Sequence, residues 1–331
     1  MPLLPQTALS LLPVPARIPA LKTAIAQLDE YILLGGLQSG TVVGLSCEDE
    51  DLGLLISLQT VSHHLVSSPN SNSNVMIVTC TRPIQTLLPL LRKAIINSLI
   101  ALSKQEEDEL VSGVVDLQAK VKECLRRIKI SRVFDVKGLE EVLCEVEENE
   151  NEKVDVVVVS DMPLLLGTVF GDRSGGGGGG NSRNINWEEE GRGVHEMVGE
   201  LGGRLRRLAG GDESTDKGKR LVMLLNSVSV KEGGDAAGLR SVFSGGGVPG
   251  SKNKRPAYGQ VFGRLVDLHL MGSRVPAGEM EAERQRKEVW VWVMEVLFDE
   301  VGMYDFERME RRDREGRWGV LEVDRDGGSV R

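Results

Sequence analysis

The chain has 331 residues, 40% of them hydrophobic, with 40 lysines and arginines against 49 acids and a formal charge of -9. This composition excludes a wholly disordered chain, and the acidic balance excludes an overall positive field able to hold nucleic acid by charge alone. Cys47, Cys80, Cys124 and Cys144 stand far apart with no C-x-x-C pair, which argues against a disulfide framework or a zinc site and for a reducing compartment.

Residues 1–20 carry Pro5, Pro13 and Pro15 and no basic stretch ahead of their apolar part, a pattern that predicts an extended arm rather than a cleaved leader. Residues 21–331 read as one α/β core. The runs 41–46, 75–80, 154–160 and 221–226 are short and nearly continuously apolar, as strands buried on both faces are. Helical spacing links them over 52–66, 84–101, 110–125, 139–146 and 194–209. This alternation predicts a mostly parallel central sheet flanked by helices. Beyond residue 265 the runs 265–271, 290–297 and 318–323 follow one another without long helices, which predicts an antiparallel C-terminal edge. The longest apolar runs, around 154–159, are strand-sized, so no membrane span and no membrane partner are expected. Low-complexity stretches at 67–74, 175–180 and 233–254 read as loops, the two large insertions covering about 171–186 and 231–256. The acidic runs 147–152 and 188–190 read as solvated surface.

The glycine-rich turn 33–40 leads into the first strand, and that strand leads through a loop into a helix, the context of a phosphate-binding loop. Counted from Gly44, the pattern G-x-x-x-x-G-K-[ST] puts Asp49 at the second glycine, Glu50 at the lysine and Asp51 at the hydroxyl. Four successive carboxylates, 48–51, would face a triphosphate. At contact distance each like-charge pair costs about 4 kcal/mol even at an effective dielectric near 20. Neither ATP nor magnesium is expected as a cofactor, ATPase activity is not expected, and no metal site is assigned, because the carboxylates lack a calcium-loop spacing.

Taken in order, several segments resemble the RecA-like ATPase core of the eukaryotic strand-exchange recombinases and their paralogues. Residues 33–44 resemble that family's approach to the phosphate loop, and Ile130-Ser131-Arg132-Val133-Phe134-Asp135 with 139–143 resembles its middle strand and following helix. Residues 154–161 look like the apolar strand whose terminal aspartate, here Asp161, lies near the family's metal, although such an aspartate can equally cap the next turn. Leu221-Val222-Met223-Leu224-Leu225-Asn226 is similar to the strand that opens the second DNA-facing loop. Pro256-Ala257-Tyr258-Gly259 with 265–270, and 316–327, resemble the segments after it. The acid that the family places after its second strand to activate water is missing from Val78-Thr79-Cys80-Thr81-Arg82. So are its preceding helical domain and, in the N-terminal arm, its phenylalanine anchor for self-assembly.

The resemblance implies that 231–256 contacts single-stranded DNA, with Lys231, Arg240, Lys252, Lys254 and Arg255 against only Glu232 and Asp235. Arg204, Arg206, Arg207, Lys217, Lys219 and Arg220 form a second basic cluster, which a helix C-terminus explains in part. Trp290, Trp292 and Met294 share one strand face and read as packing. Of the adjacent His63 and His64, one is expected packed and one solvated. The resulting expectation is a catalytically degenerate subunit of nuclear DNA recombination and repair, with no catalytic residue of its own. It would bind other recombinase-like chains in a hetero-oligomer and single-stranded DNA. The alternative is a non-catalytic RecA-like scaffold of an Elongator-type assembly for transfer-RNA modification, with which the acidic loop is also compatible.

Overall fold

In the computed structural model the described residues are 20–68, 73–103, 113–149, 152–171, 187–211, 218–231, 253–276, 290–305, 310–312, 314–323 and 330. The arm, apart from Ala20, lies outside them, as do Arg240 and Lys252. Ala20–Leu21 (β1) pairs antiparallel with Leu37–Gln38 (β2), and a π-helical turn, Gln27–Ile32, lies between them. Gly36 closes this hairpin-like segment at φ +119°, where a Cβ would fall 2.5 Å from the Leu21 carbonyl oxygen.

The central sheet begins with Val42–Cys47 (β3), which feeds helix α1, Glu50–Ser67. Then come Asn74–Thr79 (β4), α2 at Ile84–Ser103, α3 at Gly113–Arg126, Ile128–Arg132 (β5) and α4 at Val136–Glu148. Val154–Val159 (β6), α5 at Met162–Gly171, α6 at Trp187–Gly210 and Leu221–Lys231 (β7) complete the alternating part. The C-terminal part runs Asn253–Pro256 (β8), a short helix α7 at Gly259–Gly263, Leu268–Pro276 (β9), Trp290–Asp299 (β10), the small pair Met303–Asp305 (β11) and Glu310–Arg312 (β12), and Trp318–Leu321 (β13).

The strand order is β13-β10-β9-β3-β7-β6-β4-β5, with β8 paired to the distal part of β7. The six strands from β9 to β5 run parallel, while β10 and β13 add the antiparallel edge. The fold class expected from the alternation is therefore the one observed. The segment that resembles the family's middle strand contains the end of β5, the outermost strand of the parallel end.

Alternate residues of each parallel strand enter opposite cores, as the period-2 geometry of a strand demands. Val156, Val158, Leu221 and Met223 join the core under α1, α2 and α3. Val157, Val159, Val222 and Leu224 join the core under α4, α5, α6 and α7. Among the described residues, α2 is the one helix long and apolar enough by composition to cross a membrane, although Gln85, Arg92, Lys93 and Asn97 interrupt its apolar residues. It packs on α1 and α3 through Leu87, Leu91, Ala94, Ile95 and Ser98, which is how a covering helix of the sheet behaves.

Buried cations tie this frame together. Arg314 and Asp299 form a bidentate pair of 2.7 and 2.8 Å in the antiparallel part, with essentially no exposure. Much of the second basic cluster is structural as well. Arg206 donates to Asp267, whose other oxygen accepts from the Val42 amide, and Arg220 donates to the carbonyls of Val154 and Leu208. Met294 is buried and Trp292 half-buried against the first core, as expected, while Trp318 on the edge strand is 53% exposed. His63 and His64 are both half-buried, not one packed and one solvated: His64 shares a hydrogen bond with Ser73 and lies 3.7 Å from Asp155, and His63 shares one with Ser67.

Candidate functional site

In an open parallel sheet, ligands bind beyond the carboxyl ends of the strands. Here β3, β7 and β6 are neighbours, and their ends bring Cys47, Asn226 and Ser160-Asp161 together. A shallow cleft, open to solvent and with a cavity volume of only about 20 Å3, lies there between α1 and the start of α5, far below the ~300 Å3 lower bound of ligand pockets. Glu50, Leu54, Arg82, Asp161, Leu225 and Asn226 line it.

Gly44, taken as the first glycine of the loop, lies inside β3, paired to Leu224 and His269. A Cβ there would meet Phe262 at 2.7 Å and Val266 at 2.9 Å, so close packing of α7 against the sheet requires the glycine. Only Glu48 and Asp49 separate the strand from α1. Such a link is too short to wrap a phosphate in backbone amides. Asp49 instead caps the helix, its side chain accepting the Asp51 amide at 2.9 Å, and Glu50 and Asp51 occupy the first turn, where acids suit the helix dipole.

The acids of this segment are partly neutralised by the protein's own cations. Asp51 pairs with Arg82, from the turn after β4, at 2.7 Å. Glu48 pairs with Lys254 of β8 at 2.9 Å and accepts the Arg274 amide, while Lys254 also donates to the Arg274 carbonyl. Two groups that the sequence separates by more than two hundred residues are therefore one cluster. Lys254, 18% exposed, is committed to this contact and is not a free phosphate ligand. Arg255 is half-buried in β8, and Lys231 ends β7 opposite Asn253.

Asp161 serves the strand ends. Its carboxylate accepts from Thr79 Oγ1 and the amides of Cys80 and Thr81 on β4's outgoing turn, and from Ser160 Oγ, at 3.0 to 3.2 Å. Burial alone would raise its pKa, but the amides of Thr81 and Cys80 and the Ser160 hydroxyl hold it below the ordinary carboxylate value. Its backbone has φ +61°, and its carbonyl accepts from Leu164 and Leu165 at the start of α5. Of the two roles open to it, the turn-forming one is visible.

Behind the cleft runs a buried polar chain that the sequence did not reveal. Asn226 Nδ2 donates to the Ala257 carbonyl and to Ser46 Oγ, both at 3.0 Å, and Ser46 Oγ shares a 2.8 Å hydrogen bond with His269 Nε2. Three strands, β7, β3 and β9, are thereby linked by side chains. Burial pushes the His269 pKa down to about 3, so the ring is neutral, and its edge packs on Phe262. Among the described residues, Asn226 Oδ1 and His269 Nδ1 are buried without a hydrogen-bond partner. The one available signal was a lone histidine inside the apolar run 265–271. No group of three or more metal-ligating side chains occurs among the described residues. Neither the family models nor the curated proteins compared with this chain give a match.

Proposed function

We propose that this chain is a RecA-like subunit that has lost nucleotide chemistry and serves nuclear DNA recombination and repair by binding partner chains. The observation that carries this reading is the carboxyl end of β3. A two-residue link replaces the phosphate-wrapping loop, and carboxylates stand where a cationic cradle is needed. The nearby cations Arg82 and Lys254 already neutralise Asp51 and Glu48. A triphosphate in the cleft would meet Glu50 and Asp161, at a few kcal/mol for each like-charge contact, while the one guanidinium there is already held by Asp51.

Two of the resembling segments add support: the aspartate after β6 and the asparagine on β7 come from distant parts of the chain and line one cleft, while the glycine turn lies at the opposite, amino end of β3 beside Lys219 and Arg220. The reading assigns single-stranded DNA contact to Lys231, Arg240, Lys252 and Arg255, with Lys254 engaged by Glu48. Affinity purification of the tagged full chain followed by mass spectrometry tests the assignment. Recombinase-like proteins are the expected partners; recovery of Elongator-type subunits instead would replace it with the transfer-RNA scaffold reading. Binding of the complex to single-stranded DNA should weaken steeply with salt, and salt-independent or absent binding removes the DNA role.

A further inference from the structure

We infer that the cleft at the ends of β3, β6 and β7 receives a basic side chain, arginine or lysine, presented by a partner protein. This rests on the scaffold reading above and gives the partner its chemistry. The cleft offers acceptors and few donors. Glu50 is exposed at its wall and has no ion-pair or hydrogen-bond partner among the described residues. Its one guanidinium, Arg82, is turned onto Asp51.

A second observation is independent of these acids. Asn226 lines the cleft at 4% exposure, and its Oδ1 has no donor among the described residues, while Nδ2 is used by Ser46 and Ala257. A buried acceptor without a donor favours an incoming donor. Guanidinium carries five N–H donors and ammonium three, with no acceptor on either, which is the complement of Glu50 and an amide oxygen. A phosphate or carboxylate ligand has the opposite character and would be repelled by Glu50.

The surroundings indicate a protein rather than a small cation as the source. Ile84, two residues beyond Arg82, and Leu164, beside the cleft-lining Pro163, are each 51% exposed, and Leu88 stands one turn further along α2 at 46%. Exposed apolar side chains flanking a charged acceptor site suit a partner whose cation is framed by apolar residues, because contact between them excludes water from the ion pair.

The test uses the full-length chain and three probes: acetyl-Leu-Arg-Leu-Ile-amide, the same peptide with citrulline for arginine, and free argininamide. Each is titrated by calorimetry at low salt, with a fluorescent ATP analogue titrated in parallel. The arginine peptide should bind, and the citrulline peptide and the Glu50→Gln variant should each weaken binding by about tenfold or more, as loss of a charge-assisted pair does. Glu141→Gln, on α4, should leave binding unchanged. Glu50 is exposed in the first turn of α1, so Glu50→Gln keeps the fold, and Glu50→Lys should abolish peptide binding. Equal affinity for the arginine and citrulline peptides, insensitivity to Glu50→Gln, or no binding overturns the inference. Argininamide binding as tightly as the peptide overturns the protein source. Failure of these outcomes without ATP binding leaves the scaffold reading intact; ATP binding removes that reading and the inference with it.

Discussion

His269 lies wholly buried on β9, hydrogen-bonded to Ser46 and packed edge-on to Phe262. Burial lowers its pKa from 6.5 to about 3, whereas the unfolded chain protonates it at its ordinary value. Between those values the unfolded state binds the extra proton, so stability rises with pH through the window. The contribution is fully present above about 6.5 and is lost progressively as pH falls toward about 3. The slope approaches ~1.4 kcal/mol per pH unit, so about 2 kcal/mol should disappear between neutral pH and pH 5. Urea unfolding of the native chain and His269→Gln at a series of pH values measures this. The variant keeps an acceptor but does not titrate, and its curve should be flatter by that amount. Should the substitution destabilise the fold too far, NMR titration of the four histidines of the native protein gives the same information. One ring should remain neutral to below pH 4. Parallel stability curves, or four rings all titrating near 6.5, would refute the buried neutral histidine.

Arg314→Met should cost about 3–5 kcal/mol in chemical unfolding, because it strands the Asp299 carboxylate in the interior; a loss below about 1 kcal/mol would contradict the bidentate pair. Burial raises the Asp299 pKa, but the Arg314 hydrogen bonds and charge more than offset it, so this aspartate contributes stability above its unfolded value of 3.8 that is lost as pH falls through the lower folded value. Gly44→Ala should lower stability by about 1–3 kcal/mol in thermal unfolding through overpacking against Phe262 and Val266, and an unchanged midpoint would show that α7 does not press on β3. A double-mutant cycle of Glu48→Gln and Lys254→Met should give a coupling of about 0.5–1 kcal/mol, modest because both groups keep some exposure; additivity would mean the two are not paired in solution.

The continuous apolar strands and amphipathic helices were legible because burial on one or two faces writes a period into the chain. β3, β4, β6 and the first half of β7 begin and end within a residue or so of where the apolar runs do. Helix α5 was not foreseen, since Met162–Gly171 is almost uniformly apolar and carries no period to read. β8 was not foreseen either: its residues Asn253–Pro256 are polar, and β7 alone gives them a strand partner. The acidic character of the loop after β3 is plain in the sequence, but its length is not, because Gly44, which fits the first glycine of the loop pattern, lies inside the strand. Lys254 looked like a DNA ligand from its basic neighbours, and only tertiary pairing with Glu48 shows its other use. Hydrogen bonds such as Asn226 to Ser46 to His269 depend on strand order, which no local pattern encodes.

The central claim is that the end of β3 cannot hold a nucleotide. Equilibrium titration of a fluorescent ATP analogue with magnesium into the full-length chain tests it most directly, with Glu50→Lys and Asp51→Thr combined as a comparison. No saturable binding is predicted up to about 1 mM, where the binding free energy is only ~4 kcal/mol. The doubly substituted chain should not gain micromolar binding, because the two-residue link remains too short. A micromolar dissociation constant for the native chain would contradict the account.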